Sequence, residues 1–383
     1  MMRRMRIARA LALSSLVALA GCAAHSTPDN AGGNGGFGGN GGSGGSDGSG
    51  PGSGGSGGNG SDGGAGPGDL GPGGSDGGGS DGGTSDGGTP AVVTEYAPYF
   101  YTWGWGSSSY AFSSLVQMKQ QGGPSAVTIA FVLSGGGCTV STDIQNNLAD
   151  VKAFVAAGGH VKASFGGADG TYLENACSDA TSLGNAISSF VDATGITDLD
   201  FDIEQGSTSS NAAINAMRGT ALAKVQAQKH IRVAFTLPVN PDGLDSLGLA
   251  VVKAALDAGV QVSFVNVMTM DYGNGTNLGT TPIASVDATA KQLQSLVAGL
   301  SLDAAYRMVG ATAMLGHNDD TEVFSLDNAA TLVAYAKQKK LGLVSFWAIQ
   351  RDEKCPAGVD LDVCTGVNSA AFQFHQIFDG VSH

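Results

Sequence analysis

Beyond residue 91 the chain divides into eight short apolar runs of strand character. They are Tyr96 to Thr102, Ala126 to Leu133, His160 to Phe165, Asp198 to Glu204, Ile231 to Leu237, Gln261 to Met270, Arg307 to Thr312 and Leu341 to Ile349. Between them the apolar positions switch to a helical period, clearest over Asp143 to Ala157, Leu183 to Ala193, Ala212 to Gln228, Leu247 to Ala258, Ser285 to Val297 and Leu326 to Lys339. A last helix is expected over Ser369 to Phe378. Strand and helix in strict alternation predict a parallel α/β fold. The count of eight favours the (β/α)8 TIM barrel over an open doubly wound sheet. The stretch from Gly316 to Lys340 has room for one helix and little else, so no large insertion domain is expected, and residues 91–383 read as one domain.

The N-terminus follows another pattern. Arg3, Arg4, Arg6 and Arg9 precede an apolar run from Ala8 to Ala20, which reads as an export signal over residues 1–21 and is too short to span a bilayer comfortably. It ends in Leu19-Ala20-Gly21-Cys22, which looks like a bacterial lipobox, so Cys22 is the expected lipidation site and acyl chains the expected membrane anchor. By the sorting pattern of such lipoproteins, Ala23 favours an outer-membrane or cell-surface location. Residues 22–90 are dominated by Gly, Ser, Asp, Asn and Pro. With almost nothing apolar to bury, they predict a disordered linker. A Gly-rich coil of about 60 residues reaches on the order of 45 Å, enough to hold a domain clear of a membrane.

The formal net charge of -14 argues against nucleic acid as a partner and does not oppose a neutral polysaccharide. Four cysteines remain after Cys22, namely Cys138, Cys177, Cys355 and Cys364, an even number in an exported chain. Three disulfide connectivities are possible. Cys138 with Cys177 and Cys355 with Cys364 is the favoured one, because each pair staples neighbouring segments near one rim of the barrel. No close C-x-x-C pair suggests zinc, and no metal or cofactor is expected.

The stretch Thr197-Asp198-Leu199-Asp200-Phe201-Asp202-Ile203-Glu204 carries the candidate chemistry. Leu199, Phe201 and Ile203 fall on one face of a strand, while Asp200, Asp202 and Glu204 fall on the other. Carboxylates crowded on one face repel each other and raise at least one pKa, at a folding cost that a purely structural strand has no reason to bear. A solvated edge strand does not suit the wholly apolar opposite face, and the glycine of an EF-hand loop is absent.

These acids resemble the D-G-x-D-x-D-x-E signature of glycoside hydrolase family 18, the chitinases and their relatives. Asp200, Asp202 and Glu204 match its last three acids, whereas Thr197 and Asp198 replace the first Asp and the Gly. The resemblance implies that Glu204 donates a proton to the glycosidic oxygen. Asp202 partners the substrate's acetamido group, and Asp200 tunes Asp202. Ser164-Phe165-Gly166-Gly167 looks like the family's S-x-G-G, whose glycines let the backbone approach the catalytic strand. Met268-Thr269-Met270-Asp271 is similar to its M-x-Y-D. Met268 and Asp271 fit, but Met270 stands at the Tyr position, where Tyr272 offers a substitute hydroxyl. Core packing is the simpler reading for the two methionines. Trp347 matches the Trp beneath the reacting sugar. Tyr99, Tyr101, Trp103 and Trp105 crowd near the end of the first strand, where aromatic faces suit sugar rings, with Tyr99 and Trp103 the substrate-binding candidates.

The resemblance therefore implies a retaining, substrate-assisted hydrolase of β-1,4-linked N-acetylglucosamine polymers with a shallow groove; a monomer is expected. An endo-β-N-acetylglucosaminidase acting on N-glycans and an inactive glycan-binding protein are the alternatives. An intact Glu204 argues against the second.

Overall fold

The computed structural model describes residues 93–273, 275–356 and 363–382. The predicted signal peptide, Cys22 and the linker to residue 90 lie outside the described residues. Within them no helix is long and apolar enough to cross a membrane.

The eight expected strands are present as the staves of a parallel barrel. β1 runs in two pieces, Glu95–Tyr96 and Tyr99–Tyr101, followed by β2 (Ala126–Val132), β3 (His160–Gly166) and β4 (Asp198–Asp202). β5 (Arg232–Pro238), β6 (Val262–Met268), β7 (Val309–Met314) and β8 (Leu343–Trp347) complete it. Each stave pairs in parallel with the next, and β1 closes the ring: Glu95–Tyr96 pairs with β8 and Tyr99–Tyr101 with β2. The break falls at Ala97-Pro98 because proline has no N–H to give to a ladder. Side chains bridge it instead, since the Ala97 carbonyl accepts Oγ1 of Thr128 at 3.1 Å and Oγ of Ser345 at 2.8 Å.

A main helix follows each stave, in several cases with a further short helix before or after it. α1 (Leu115–Gln120), α2 (Leu148–Ala156), α3 (Ala180–Thr194), α4 (Ala212–Lys229), α5 (Ser246–Asp257), α6 (Thr281–Leu296), α7 (Leu326–Lys339) and α8 (Gln373–Asp379) form the outer layer. The sequence pattern missed α1, whose six residues span under two turns and bury only Leu115 and Met118. The helix expected over 143–157 is broken at Asn147. Arg307, expected at the start of the seventh strand, lies in the last turn of a short helix, Leu302–Met308, and β7 begins at Val309. Between β7 and β8 lie a two-stranded antiparallel hairpin, Gly316–His317 with Val323–Phe324, and α7, as the short connection requires.

The strand period explains how β4 serves two layers at once. Leu199, Phe201 and Ile203 belong to the apolar layer between staves and helices, where Phe201 stacks on Phe165 at 5.2 Å and meets a tilted Phe235 at 6.0 Å. Asp198, Asp200 and Asp202 are buried on the other face, inside the barrel. The N-terminal end of the barrel is plugged by ion pairs. Lys162 Nζ lies 2.6 Å from Glu95 and 3.7 Å from Asp198, and Arg232 lies 2.6 Å from Glu95 and 2.9 Å from Asp198.

Candidate active site

At the C-terminal end of β4 the acids meet hydroxyls rather than cations. Asp200 accepts Oγ of Ser164 at 2.7 Å and the hydroxyl of Tyr99 at 3.1 Å on Oδ2, and Oγ1 of Thr236 at 2.8 Å on Oδ1. The network continues across the barrel. Asn266 Nδ2 reaches Oγ1 of Thr236 at 3.0 Å and Oγ1 of Thr312 at 2.7 Å. Burial pushes the Asp200 carboxyl up, while the hydroxyls of Ser164, Thr236 and Tyr99 and, least, the charge of Lys162 pull it down. Thr236, Asn266 and Thr312 carry no sequence signal of their own. Each is one polar residue in an apolar run, on a stave that the acids do not occupy.

One step of the pleat higher, Asp202 is 3 % exposed and has Glu204 as its electrostatic neighbour. Burial, Glu204 and Asp200 push the Asp202 carboxyl well up. Its Oδ1 is buried without a hydrogen-bond partner among the described residues. Glu204 is held up to about 7, by burial first and then by Asp169, with Asp271 and Asp319 adding to the repulsion. None of the ion pairs among the described residues involves Asp200, Asp202 or Glu204. The pair thus holds a proton near neutrality with no cation to expel it, which is the condition of a general acid.

The glycines at the end of β3 make this geometry possible. Gly166 has φ 113°, and a Cβ there would lie 2.0 Å from the Asp202 carbonyl oxygen, so no other residue fits. Gly167 has φ 98°, faces the Phe131 ring, and donates its N–H to the same carbonyl at 3.0 Å.

Aromatic rings gather beside the acids. Trp347 lies 4.8 Å from Tyr101, 5.6 Å from Tyr99, 6.2 Å from Trp103 and 5.5 Å from Phe131, on which it stacks. Trp103 is 52 % exposed, stacks on Tyr101 at 4.4 Å, and donates Nε1 to the Tyr110 hydroxyl at 3.0 Å. Tyr99 is buried with its hydroxyl on Asp200, so it supports the acids from below instead of offering a face to a sugar. Trp105 leaves the rim altogether. Its Nε1 donates to Asp150 on α2 at 2.8 Å and its ring packs on Phe100.

The residues after β6 correct part of the sequence reading. The Tyr272 hydroxyl is committed to Oγ of Ser285, a fully buried residue of α6, at 2.8 Å, so it does not replace the hydroxyl missing at Met270. Met268 and Met270 are half-buried and belong to none of the buried apolar clusters, contrary to the expectation of core packing. Asp271 adopts φ 52° and accepts the Asp319 N–H at 2.9 Å. Its carboxyl is raised to about 6 by burial, then Asp319, although the residue keeps a face open to solvent.

Both disulfides form as favoured, Cys138–Cys177 and Cys355–Cys364. The first ties the loop after β2 to the loop after β3, and the second lies beyond β8, all on the rim that carries the acids. Among the described residues no group of His, Cys, Asp and Glu is arranged to hold a metal ion.

Sequence reasoning missed Tyr172 entirely. It is fully buried, and its hydroxyl touches the backbone of both Gly167 and Glu204. Nothing in its neighbours, Thr171 and Leu173, marks it as more than a core aromatic.

Comparison with known proteins agrees with this arrangement. A "Probable bifunctional chitinase/lysozyme" of Escherichia coli (strain K12) is 34 % identical over 282 residues, covering 66 % of this chain and 31 % of that protein. "Endochitinase 11" of Metarhizium anisopliae is 35 % identical over 249 residues, covering 59 % and 47 %. The chain thus spans less than half the length of either. The crystal structure of the catalytic domain of a hyperthermophilic chitinase from Pyrococcus furiosus superposes with a TM-score of 0.68 at 29 % identity, covering 76 % of this chain and 95 % of that one. Residues 95–315 match the sequence pattern of glycosyl hydrolases family 18. That span holds the acids, the glycines that admit them and seven of the eight staves, and the chain belongs to that family of glycoside hydrolases.

Proposed function

We propose that this hydrolase cleaves β-1,4-linked N-acetylglucosamine polymers, chitin foremost, by retaining, substrate-assisted catalysis. The observation that carries the reading is Asp202 Oδ1, a buried carboxyl oxygen with no partner among the described residues, beside Glu204, whose carboxyl is held up to about 7. A lone buried acceptor is costly unless a ligand satisfies it, and the N–H of a substrate acetamido group is a donor of the right kind. Glu204 gives its proton to the glycosidic oxygen as the bond to the anomeric carbon breaks. The acetamido oxygen attacks that carbon, while Asp202 accepts the acetamido N–H and faces the positive charge of the oxazolinium. Glu204, now a carboxylate, takes a proton from the water that opens the ring, and two inversions give net retention.

The placement of Asp202 and Glu204, two residues apart at the same end of β4, favours this route over the ordinary one. Two-carboxylate retaining enzymes hold their acids about 5 Å apart, flanking the scissile bond, whereas Asp202 and Glu204 leave the same end of one stave. The rings of Trp347, Tyr101 and Trp103 suit the apolar faces of pyranoses. The short β7 to β8 connection suits an open groove. The N-terminal pattern supports export and a lipid anchor on the outer membrane or cell surface, with acylation at Cys22.

Partially acetylated chitosan tests the mechanism. Sequencing of the new reducing ends is expected to show N-acetylglucosamine almost exclusively, and frequent free glucosamine there would exclude an acetamido nucleophile. Chitin oligomers and a high-mannose glycoprotein, offered side by side, test the substrate. Release from the glycoprotein alone would replace chitin with N-glycans.

A further inference from the structure

The Glu204 side chain begins just beyond the point where the sheet stops holding the chain. The ladder from β4 to β5 ends with Ile203, whose N–H donates to the Thr236 carbonyl at 2.9 Å. The next two amides are held by a side chain: the Tyr172 hydroxyl accepts the N–H of Glu204 at 3.0 Å and of Gln205 at 3.2 Å. The same hydroxyl donates to the Gly167 carbonyl at 2.7 Å, and the Gly167 N–H donates to the Asp202 carbonyl. The bonds close a ring through Asp202, Gly167, Tyr172 and Glu204, and the Tyr172 ring fills the space against Gly166, 3.4 Å from where a Cβ would stand.

The loop that carries Tyr172 is anchored from several sides. Glu174 and Arg218 form a buried ion pair at 2.7 Å, and Arg218 also donates to Asn215 on α4. Asn175 Nδ2 donates to Oγ1 of Thr208 at 2.8 Å, and the Thr171 carbonyl accepts the Ser134 N–H at 2.9 Å. The disulfide Cys138–Cys177 closes the far end of the loop. So much anchoring gives the hydroxyl a fixed position from which to set the backbone of its neighbours.

We propose that Tyr172 is a positioning residue for the reaction: its hydroxyl fixes the backbone from which Glu204 projects and so holds the acid against Asp202. The proposal rests on the reading of Glu204 as proton donor. Only the hydroxyl makes the contact, so a phenylalanine keeps the packing and loses the positioning. Without it Glu204 relaxes outward, away from Asp202 and toward water, which loosens both its geometry and the burial that keeps its proton on near pH 7.

The test compares Tyr172→Phe, Asn175→Ala and Glu204→Gln in the full chain on chitin oligomers. Tyr172→Phe is expected to lower kcat by up to about 10²-fold with little change in KM, the size of effect that a small misplacement of a reacting group produces. It is also expected to move the basic limb of kcat/KM to lower pH. Asn175→Ala removes a bond from the same loop without touching the Glu204 backbone, so it should lower thermal stability and leave the limb in place. If Tyr172→Phe matches Asn175→Ala in both kinetics and pH profile, the hydroxyl is merely structural and the proposal falls. Amide exchange in the parent enzyme gives an answer that needs no variant. Slow exchange at Glu204 and Gln205 is expected, and exchange at the rate of an open loop overturns the clamp. Glu204→Gln separates the two layers of the argument. If that variant keeps its turnover, the assignment of the acid has failed rather than the role of Tyr172.

Discussion

Asp198 and Asp202 lie four residues apart on the same face of β4, and their carboxyls live in opposite surroundings. Asp198, at the N-terminal end, touches His160, Lys162 and Arg232, and hydrogen bonding and charge from these partners hold its pKa below the usual range against the opposing effect of burial. Asp202, at the C-terminal end, has Glu204 and Asp200 as its charged neighbours and is pushed well up. The alternation of acids along a strand therefore does not by itself make a reactive site. Where cations answer the charge, it is a plug for the bottom of a barrel. Where carboxylates alone face each other, the strand retains a proton it can donate.

The most direct way to break this comparison is to remove the retained proton. Glu204→Gln keeps shape and hydrogen-bonding capacity but cannot titrate, and it is expected to cost about 10² to 10⁴ in turnover with oligosaccharide binding retained. Rates measured beside a binding isotherm check it. At the other end of the strand, Lys162→Met leaves Glu95 and Asp198 short of a buried cation. A loss of about 3 kcal/mol is expected in denaturant unfolding, with the pH profile of activity unchanged. Should the profile of that variant shift as well, the two ends are coupled and the contrast between them is false.

Stability and pH sharpen the contrast. Glu95 and Asp198 have lowered pKa values, so the plug supports the fold above their unfolded values of 4.5 and 3.8 and loses that support as pH falls through the folded ones. Glu204 works in the opposite sense. Between 4.5 and about 7 the folded state keeps a proton that the unfolded chain has released, so stability declines as pH rises across that window. Thermal melts from pH 4.5 to 7 are expected to show a smaller decline for Glu204→Gln than for the parent. The smallest expected effect belongs to Asp169, an exposed carboxylate that helps to raise Glu204. Asp169→Asn should move the basic limb of kcat/KM below 7, and added salt should shrink the difference between variant and parent.

The eight staves and the face of β4 that bears the acids were legible because periodicity is a property of neighbouring residues. Leu199, Phe201 and Ile203 announce their side of the strand without reference to anything distant, and the positive φ at Gly166 and Gly167 is foreshadowed by glycine itself. The disulfide pairing was legible for a related reason, since cysteines in consecutive rim loops have few partners within reach.

Local pattern did not reveal who answers each acid. Asp200 meets Tyr99, Ser164 and Thr236 from three staves, and Asp198 meets Lys162 and Arg232 from two, while Tyr172 reaches Glu204 from a loop 32 residues earlier in the chain. Tyr272, which sequence placed beside the missing Tyr, turned to Ser285 because α6 packs behind it. The sequence by itself determined the barrel, the spacing of its acids and the rim on which they lie, since each depends on residues a few positions apart. Only the tertiary structure decided which carboxyl is neutralised and which keeps its proton. That depends on the register between staves, where a shift of one residue would exchange every inward partner for an outward one.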